Sequence, residues 1–273
     1  MDYQEYIPSE ALSKYVKCFY VIDSASDLLK EDRAFATGCV EIMFNLEGVH
    51  WQTKINDQFI STPGVELWGQ IIKPLDFRAP GKHRMIGIRF YPHAASAFLN
   101  EDISLFNDGV TDLSAVMGPS VQELHKRLLD ALSTHQRIAL IEDFLLKRLS
   151  QLEKKLDKVR LVQAVMNELK KEDFFDNIDN VASRYGITSR YLQKIFLLHT
   201  GVTPKLYSRI NRFQNSLLLI AKGGSSLTSI AYECSYFDQS HLIKEFRSFT
   251  GNSPSSFDPD NSSALLASPN KLP

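Results

Sequence analysis

The sequence predicts an α+β chain: an antiparallel β-barrel or sandwich with some helices, then an all-α C-terminal region holding two copies of one helical unit. Three observations carry this. Short runs of β-branched and aromatic residues, broken by turn residues, fill the first ninety or so positions. Beyond them the apolar period becomes helical. The pattern F-x-x-x-T-G-x-[ST]-P then occurs twice, at 196–204 and 246–254. A length of 273 residues accommodates two or three domains at roughly 100–200 residues each.

Taken in order, VKCFYVI (16–22), VEIMFNL (40–46), VELWGQII (65–72) and MIGIRFY (85–91) have strand length and composition. Glu47-Gly48, Pro63-Gly64 and Pro80-Gly81 punctuate them as turns. This spacing suits an antiparallel barrel or sandwich. Val121, Leu124, Leu128, Leu129 and Leu132 then form one helical stripe. Ile138, Ile141, Leu145, Leu149 and Leu152 form a second, and Val162, Val165, Met166 and Leu169 a third. Each is the apolar face of an amphipathic helix packed on something. The charged stretch LEKKLDKVR (152–160) reads as a solvated linker or as the start of the third helix. The tail from Asp258, rich in Ser, Pro and Asn, reads as disordered. The expected division is 1–110 (β-rich part), 111–158 (helical connector), 159–257 (two-unit helical domain) and 258–273 (tail).

Upstream of the repeated pattern the two copies continue to match. Ile178, Val181, Ala182 and Gly186 precede Leu192 and Phe196; Leu227, Ile230, Ala231 and Ser235 precede Leu242 and Phe246. Between the alanine and the phenylalanine lie 13 residues in the first copy and 14 in the second, so the turn differs by one residue. Each copy has helix-turn-helix grammar. A small residue sits where helices cross, Gly186 suits a backbone shape that other residues resist, and Thr188 or Asp238 caps the second helix. Thr-Gly at 200–201 and 250–251 ends it.

By helical period, Leu192, Ile195 and Phe196 point to a core, and Ser189, Arg190, Gln193 and Lys194 point away. In the second copy Leu242 and Phe246 point inward; Gln239, Ser240, Ile243 and Lys244 point outward, with His241 at the boundary. Arginine and glutamine make two-point hydrogen bonds to purine edges, and lysine meets guanine or phosphate. One such polar face is ordinary helix surface; two of them in repeated frames point to nucleic acid.

Charge supports that reading once it is divided. The whole chain has 31 Lys/Arg, 32 Asp/Glu and a net charge of −1, which taken alone argues against a nucleic-acid binder. Residues 177–257, however, hold nine Lys/Arg against four Asp/Glu, a local +5 that leaves −6 for the remainder. The basic part attracts a phosphate backbone and the acidic part does not.

At these residues the chain resembles the AraC/XylS family of bacterial transcription regulators. The resemblance covers about residues 160–257 and rests on IDNVASRYGITSRYLQKIFLLHTGVTPKLYSRINRF and SLTSIAYECSYFDQSHLIKEFRSFTGNSP. It implies two helix-turn-helix units joined by a long helix, here about Pro204 to Ala221, whose recognition helices enter successive major grooves ~34 Å apart. Carried over by position, it implies that Arg190, Gln193 and Lys194, with Ser189 beside them, and Gln239, Ser240, His241 and Lys244 meet double-stranded DNA. His241 stays open between a DNA contact and a structural role. Arg212 matches a recurrent family arginine, either a phosphate contact or internal packing. Ser235 departs from the usual glycine, and Ser216 from a common alanine. RNA polymerase is the partner the family implies.

The N-terminal pieces Pro8…Leu12…Tyr15-Val16, GCVEIMFNL and IGIRFYPHAASAFL are similar to the sensing domain of a subgroup of these regulators. Such domains are barrel-like and bind a small effector or mediate homodimers, with helices such as those at 120–150 as a dimerisation or relay segment. An effector pocket needs apolar walls and a few polar groups; Arg33, Glu41, Trp51, Trp68 and Arg89 are the candidates.

Composition and motifs bound the rest. Hydrophobic residues are 44% and charged residues 23%, ordinary globular usage that excludes a wholly disordered chain. MDYQEYIPSE does not read as a secretory leader, and no apolar run suits a membrane span, so a cytoplasmic, nucleoid-associated protein is expected. Three cysteines, Cys18, Cys39 and Cys234, form no disulfide framework. A thiol or redox sensor at Cys18 or Cys39, or a repair-type enzyme domain targeted by the DNA-binding half, is the alternative reading. His83 and His93 lack metal-ligand spacing. With no nucleophile elbow, P-loop or dinucleotide fingerprint in the sequence, no metal, no cofactor and no enzyme activity are expected.

Overall fold

The structure, a computed structural model, describes residues 2–79, 81–151, 156–169 and 178–258. Pro80, Leu152 and the rest of 152–155, and the tail beyond Asp258 lie outside the described residues. Among the described residues ten strands form two antiparallel sheets. The larger takes β1 (Asp2–Tyr6), β2 (Val16–Ser24), β9 (His83–Phe90), β4 (Val40–Gly48), β7 (Val65–Trp68) and β10 (Val110–Asp112), in that order. The smaller takes β3 (Lys30–Ala34), β8 (Leu75–Ala79), β5 (Gln52–Ile55) and β6 (Gln58–Ser61). Two separate sheets make a sandwich, not a closed barrel.

The four strands read from sequence are the inner ones of the large sheet, which is buried on both faces. Alternate residues therefore enter two cores. Val16, Phe19, Val40, Ile42, Phe44, Leu67, Ile86, Ile88 and Phe90 face a helical layer. Cys18, Tyr20, Ile22, Met43, Trp68 and Met85 join Trp51, Ile71, Phe77 and Ala79 in a second cluster, between the sheets. The expected strand at 65–72 is shorter, because β7 ends at Trp68. A Cβ on Gly69 would come within 2.0 Å of the Phe106 carbonyl oxygen, so this backbone lies against another segment.

The helical layer contains α1 (Ala95–Leu99), α2 (Leu113–Met117), α3 (Pro119–Asp130) and α4 (Thr134–Ser150). Val121, Leu124 and Leu128 of the first stripe and Ile141 and Leu145 of the second are buried on the sheet. Leu129 and Leu132 are exposed: α3 stops at Asp130, so Leu132 has left the helix and its period. Residues 156–160 open α5 (Leu156–Leu169), whose stripe of Val162, Val165, Met166 and Leu169 is buried as read.

The remaining helices are α6 (Ile178–Arg184), α7 (Ser189–Thr200), α8 (Pro204–Lys222), α9 (Leu227–Glu233) and α10 (Gln239–Thr250). Thr203 caps α8, accepting the Leu206 N–H at 3.2 Å, with Pro204 at the first helical position. Phe213 of α8 packs against Phe246 and Phe249 of α10, while Tyr207 packs against Phe196 of α7, so the long helix ties the two units together. Phe35 and Ala36, which follow β3, are buried in this same helical core.

Candidate nucleic-acid interface and effector cavity

In the first unit Gly186 turns the chain with φ +66, and Thr188 caps α7 by accepting the Tyr191 N–H at 3.2 Å. Leu192, Ile195 and Phe196 are buried; Arg190, Gln193 and Lys194 are exposed and Ser189 half-buried. Tyr191, which the sequence reading passed over, is also exposed on α7. The αL residue Gly201 closes the helix.

The second unit repeats the plan. Ser226 caps α9, and Asp238 caps α10 by accepting the His241 N–H at 2.7 Å. Ser235, where the first copy has glycine, adopts φ +57. This left-handed shape is unfavourable for a residue with a Cβ. Gln239, Ser240 and Lys244 are exposed; His241 and Ile243 are half-buried. Gln239 Oε1 accepts a hydrogen bond from the Thr228 hydroxyl at 2.9 Å, which orients its amide. The His241 ring meets Tyr236 edge-on, centroids 5.2 Å apart.

Arg212 does not project with this set. Its Nε and Nη2 donate to Glu245 at 3.1 and 2.9 Å, and its guanidinium lies 4.5 Å from the centre of the Tyr236 ring. Arg209 Nε donates to the other Glu245 oxygen at 2.8 Å. Of the two readings of Arg212, this geometry favours internal packing. Glu245 was missed from sequence. It lies on the inward stripe of Leu242, Phe246 and Phe249, and an acid there within a basic unit was the available signal.

Both units end against the β-rich part. Ser96 Oγ meets His199 Nδ1 at 2.6 Å, and Asn107 Nδ2 donates to the Gly201 carbonyl at 2.6 Å. Arg33 Nη1 donates to the Thr250 carbonyl at 3.3 Å. A Cβ on Gly201 would stand 2.8 Å from Asn107 Oδ1, and one on Gly251 2.7 Å from Arg33 Nη1. The repeated Thr-Gly thus supplies a left-handed cap and the room for a close neighbour. Gln214 Nε2 donates to the Ala36 carbonyl, and Phe35 meets Phe213 and Phe257 edge-on.

The five sequence-derived pocket residues come together. Arg33, Glu41, Trp51, Trp68 and Arg89 all line one cavity of about 100 Å³ between the sheets, with Tyr3, Tyr20 and Phe77 among the other walls. Register explains much of this: Cys18, Arg89, Glu41 and Trp68 are opposite neighbours across four adjacent strands, in one row. Arg89 is 1% exposed. Its Nε donates to Glu41 at 3.0 Å, and its Nη1 to the Tyr3 hydroxyl at 3.1 Å and Glu5 at 3.2 Å. Pairing of this kind is what allows a cation at such depth. Tyr20 donates to Glu41 and lies over Gly87, where a Cβ would fall 2.2 Å from its ring. Trp51 stacks on Phe77 at 5.0 Å and meets Trp68 edge-on. Its buried indole N–H has no protein partner among the described residues. The cavity therefore offers flat apolar walls and a neutralised polar end. At roughly 10–15 Å³ per water centre, its volume suits a few waters or a small molecule.

Cys18 is buried, and burial pushes its thiol up to about 12 even with Arg89 beside it. That opposes the low-pKa thiolate a redox switch uses. Cys18, Cys39 and Cys234 are buried thiols that form no disulfide. His83 Nδ1 bonds the Gly81 carbonyl at 3.0 Å, and His93 Nε2 the Lys14 carbonyl at 3.2 Å. Among the described residues no cluster of three His, Cys, Asp or Glu is placed to hold a metal, and no helix is long and apolar enough to cross a membrane.

Comparison with known proteins matches residues 181–258 to a family described as a helix-turn-helix domain, and residues 4–112 to a domain of unknown function (DUF6597). The HTH-type transcriptional activator RhaS of Escherichia coli O139:H28 is 30% identical over 121 residues, 43% of this chain and 44% of RhaS. The uncharacterized HTH-type transcriptional regulator YidL of E. coli K12 is 30% identical over 79 residues, 29% of this chain and 27% of YidL. The chain thus spans less than half the length of these curated relatives. A solved structure of ToxT from Vibrio cholerae aligns with 96% of this chain and 100% of its own, at 11% identity and a TM-score of 0.47. The two capped helix-turn-helix units lie within or beside the family match over residues 181–258, so the C-terminal part of the chain is a helix-turn-helix domain similar to those of HTH-type transcriptional regulators such as RhaS.

Proposed function

We propose that the chain is a sequence-specific, double-stranded DNA-binding transcription regulator. The observation that carries this is the pair of matched units, each presenting a polar, basic helix: Arg190, Gln193 and Lys194 on α7, and Gln239, Ser240 and Lys244 on α10. Nine basic residues against four acidic ones in residues 177–257 supply the attraction for phosphate. Ser189 and His241 flank the base-reading set. Arg212 positions α10 through Glu245. The relatives' printed role as activators favours activation, through contact with RNA polymerase, in the cytoplasm on the chromosome. None of the proposed steps requires catalysis.

The domain plan follows. Residues 1–110 sense, 111–158 connect and offer a homodimer surface, and 159–257 read DNA. The effector is a small, flat molecule held between Trp51, Trp68 and the Glu41–Arg89 pair, with Arg33 at the rim. The supporting observation is the set of aromatic walls, Trp51 stacked on Phe77 and edge-on to Trp68, in one cavity with the buried Glu41–Arg89 pair.

The test is a gel-shift titration of the full chain on operator recovered from a random pool, across a salt series. Affinity falls steeply with salt, by about 0.9 log units per log unit of salt for each phosphate neutralised. Lys194→Ala weakens all duplexes alike, whereas Gln193→Ala relaxes base preference by ~1–3 kcal/mol at one position. A salt-independent affinity refutes the reading.

A further inference from the structure

The one-residue difference between the two turns can be assigned to a side chain. The Ile187 N–H donates to the Ala182 carbonyl at 3.1 Å, and the Tyr236 N–H to the Ala231 carbonyl at 2.8 Å. Ile187 and Tyr236 are therefore equivalent, and both pack inward, Ile187 partly buried on the main helical core and Tyr236 buried in the second unit. The next residue of the first unit is the cap Thr188. In the second unit the cap Asp238 comes one residue later. The inserted residue is Phe237, and it is 85% exposed.

An exposed phenylalanine immediately before a helix cap usually has a place to go. The residue preceding the cap commonly packs on the fourth residue of the helix. Here that partner is Leu242, fully buried in the second unit's own core, and Phe237 stays outside it. Helix-turn-helix proteins present the N-terminal residues of the recognition helix to base edges. Phe237 stands at that end of α10, beside the exposed Gln239 and Ser240, in a region of net positive charge. In the major groove, the apolar feature available to such a ring is the thymine 5-methyl group.

We propose that Phe237 is a specificity residue of the second unit and reads a thymine methyl next to the bases met by Gln239 and Ser240. The first unit lacks the extra residue and makes no such contact. This rests on the DNA-binding reading above and adds to it a base preference that hydrogen-bonding residues alone do not supply.

The experiment uses the full chain and a duplex recovered by selection. Each thymine is replaced singly by uracil, which removes one methyl group and leaves base pairing intact. Affinities are measured for the wild type, Phe237→Ala and Phe237→Leu. Phe237 is 85% exposed, so all three are expected to melt at the same temperature. For the wild type, one thymine in the second unit's half-site shows a three- to tenfold loss on replacement, the scale of one buried methyl group. Phe237→Ala binds the thymine duplex as weakly as the wild type binds the uracil one and shows no further loss on replacement. Phe237→Leu keeps most of the discrimination. If the wild type binds with steep salt dependence but the two losses multiply, or no thymine is sensitive, the Phe237 proposal is overturned while the DNA-binding reading stands. If the wild type binds no duplex in a salt-dependent way, both fall.

Discussion

Replacing Arg212 by alanine separates the two roles that sequence leaves open for it. Glu245 is 4% exposed and accepts hydrogen bonds from both Arg209 and Arg212. Arg212→Ala removes the two-point contact but leaves Arg209 Nε in place at 2.8 Å, so the buried carboxylate is not stranded. Hydrogen bonds to charged groups contribute ~1.5–3 kcal/mol. The lower end applies, because the Arg212 side chain keeps 25% exposure and water screens part of the pair. Loss of the guanidinium from the Tyr236 ring adds ~0.5–1 kcal/mol. The expected destabilisation is about 2 kcal/mol. For a helical region of this size that lowers Tm by about 8–16 °C, followed by circular dichroism of the full chain. The salt slope of DNA binding, measured below the melting range, stays unchanged. A slope smaller by about 0.9 with unaltered melting refutes the packing role and makes Arg212 a phosphate contact.

Three further outcomes follow from local geometry. Ser235→Gly relieves a φ of +57 and stabilises the second unit by about 1 kcal/mol, seen as a higher urea midpoint with an unchanged slope. Phe35→Ala empties a site 3% exposed between Phe213 and Phe257 and costs about 3 kcal/mol, while Phe35→Leu costs less than half of that. A urea titration that cannot tell these variants from the wild type removes the claim that Phe35 is part of the helical core. Glu66 is fully buried, and desolvation raises its carboxyl from 4.5 to about 7 despite hydrogen bonds from Thr62 and Trp68. The folded state therefore binds the proton more tightly than the unfolded one. Stability falls as pH rises from about 4.5 through 7 and levels off above. Glu66→Gln flattens that slope, and an unchanged pH dependence of melting contradicts it.

How much of this was legible in the sequence depended on where the physical signal resides. Strands β2, β4, β7 and β9 are apolar runs because both faces of their sheet are covered. β3 (KEDRA) and β6 (QFIS) belong to the small sheet, carry polar residues and give no run. The helix-turn-helix units were legible because their signals are local: Thr188 and Asp238 as caps, Gly201 and Gly251 as αL ends, and a repeat that fixes the frame. The pocket candidates were charged or indole side chains placed within apolar strands. Their neighbours Tyr3 and Tyr20 carried no such contrast, and the burial of Glu66 gave no signal because sequence does not tell which alternate positions face a second sheet. Glu245 was hidden by its type, since its two arginine partners lie 33 and 36 residues earlier on another helix.

The boundary between the β-rich and the helix-turn-helix parts is the place where sequence and packing diverge most, and the divergence bears on the proposed function. By chain position Arg33, Phe35 and Ala36 belong to the β-rich region. By contact they belong to both. Arg33 and Phe35 line the cavity, while Phe35 is buried with Phe213, Arg33 holds the Thr250 carbonyl and Ala36 receives Gln214, 178 residues away. Interiors are close-packed and shift between discrete arrangements more readily than they deform smoothly. A ligand that prefers one placement of Arg33 and Phe35 therefore also prefers one placement of α8 and of the end of α10. Under the proposed function the coupling is reciprocal: operator DNA changes effector affinity by the factor with which effector changes operator affinity. Phe35→Leu, which retains an apolar side chain there, is accordingly the variant in which that shared factor shrinks while Trp51, Trp68, Glu41 and Arg89 of the cavity and the recognition helices stay unchanged.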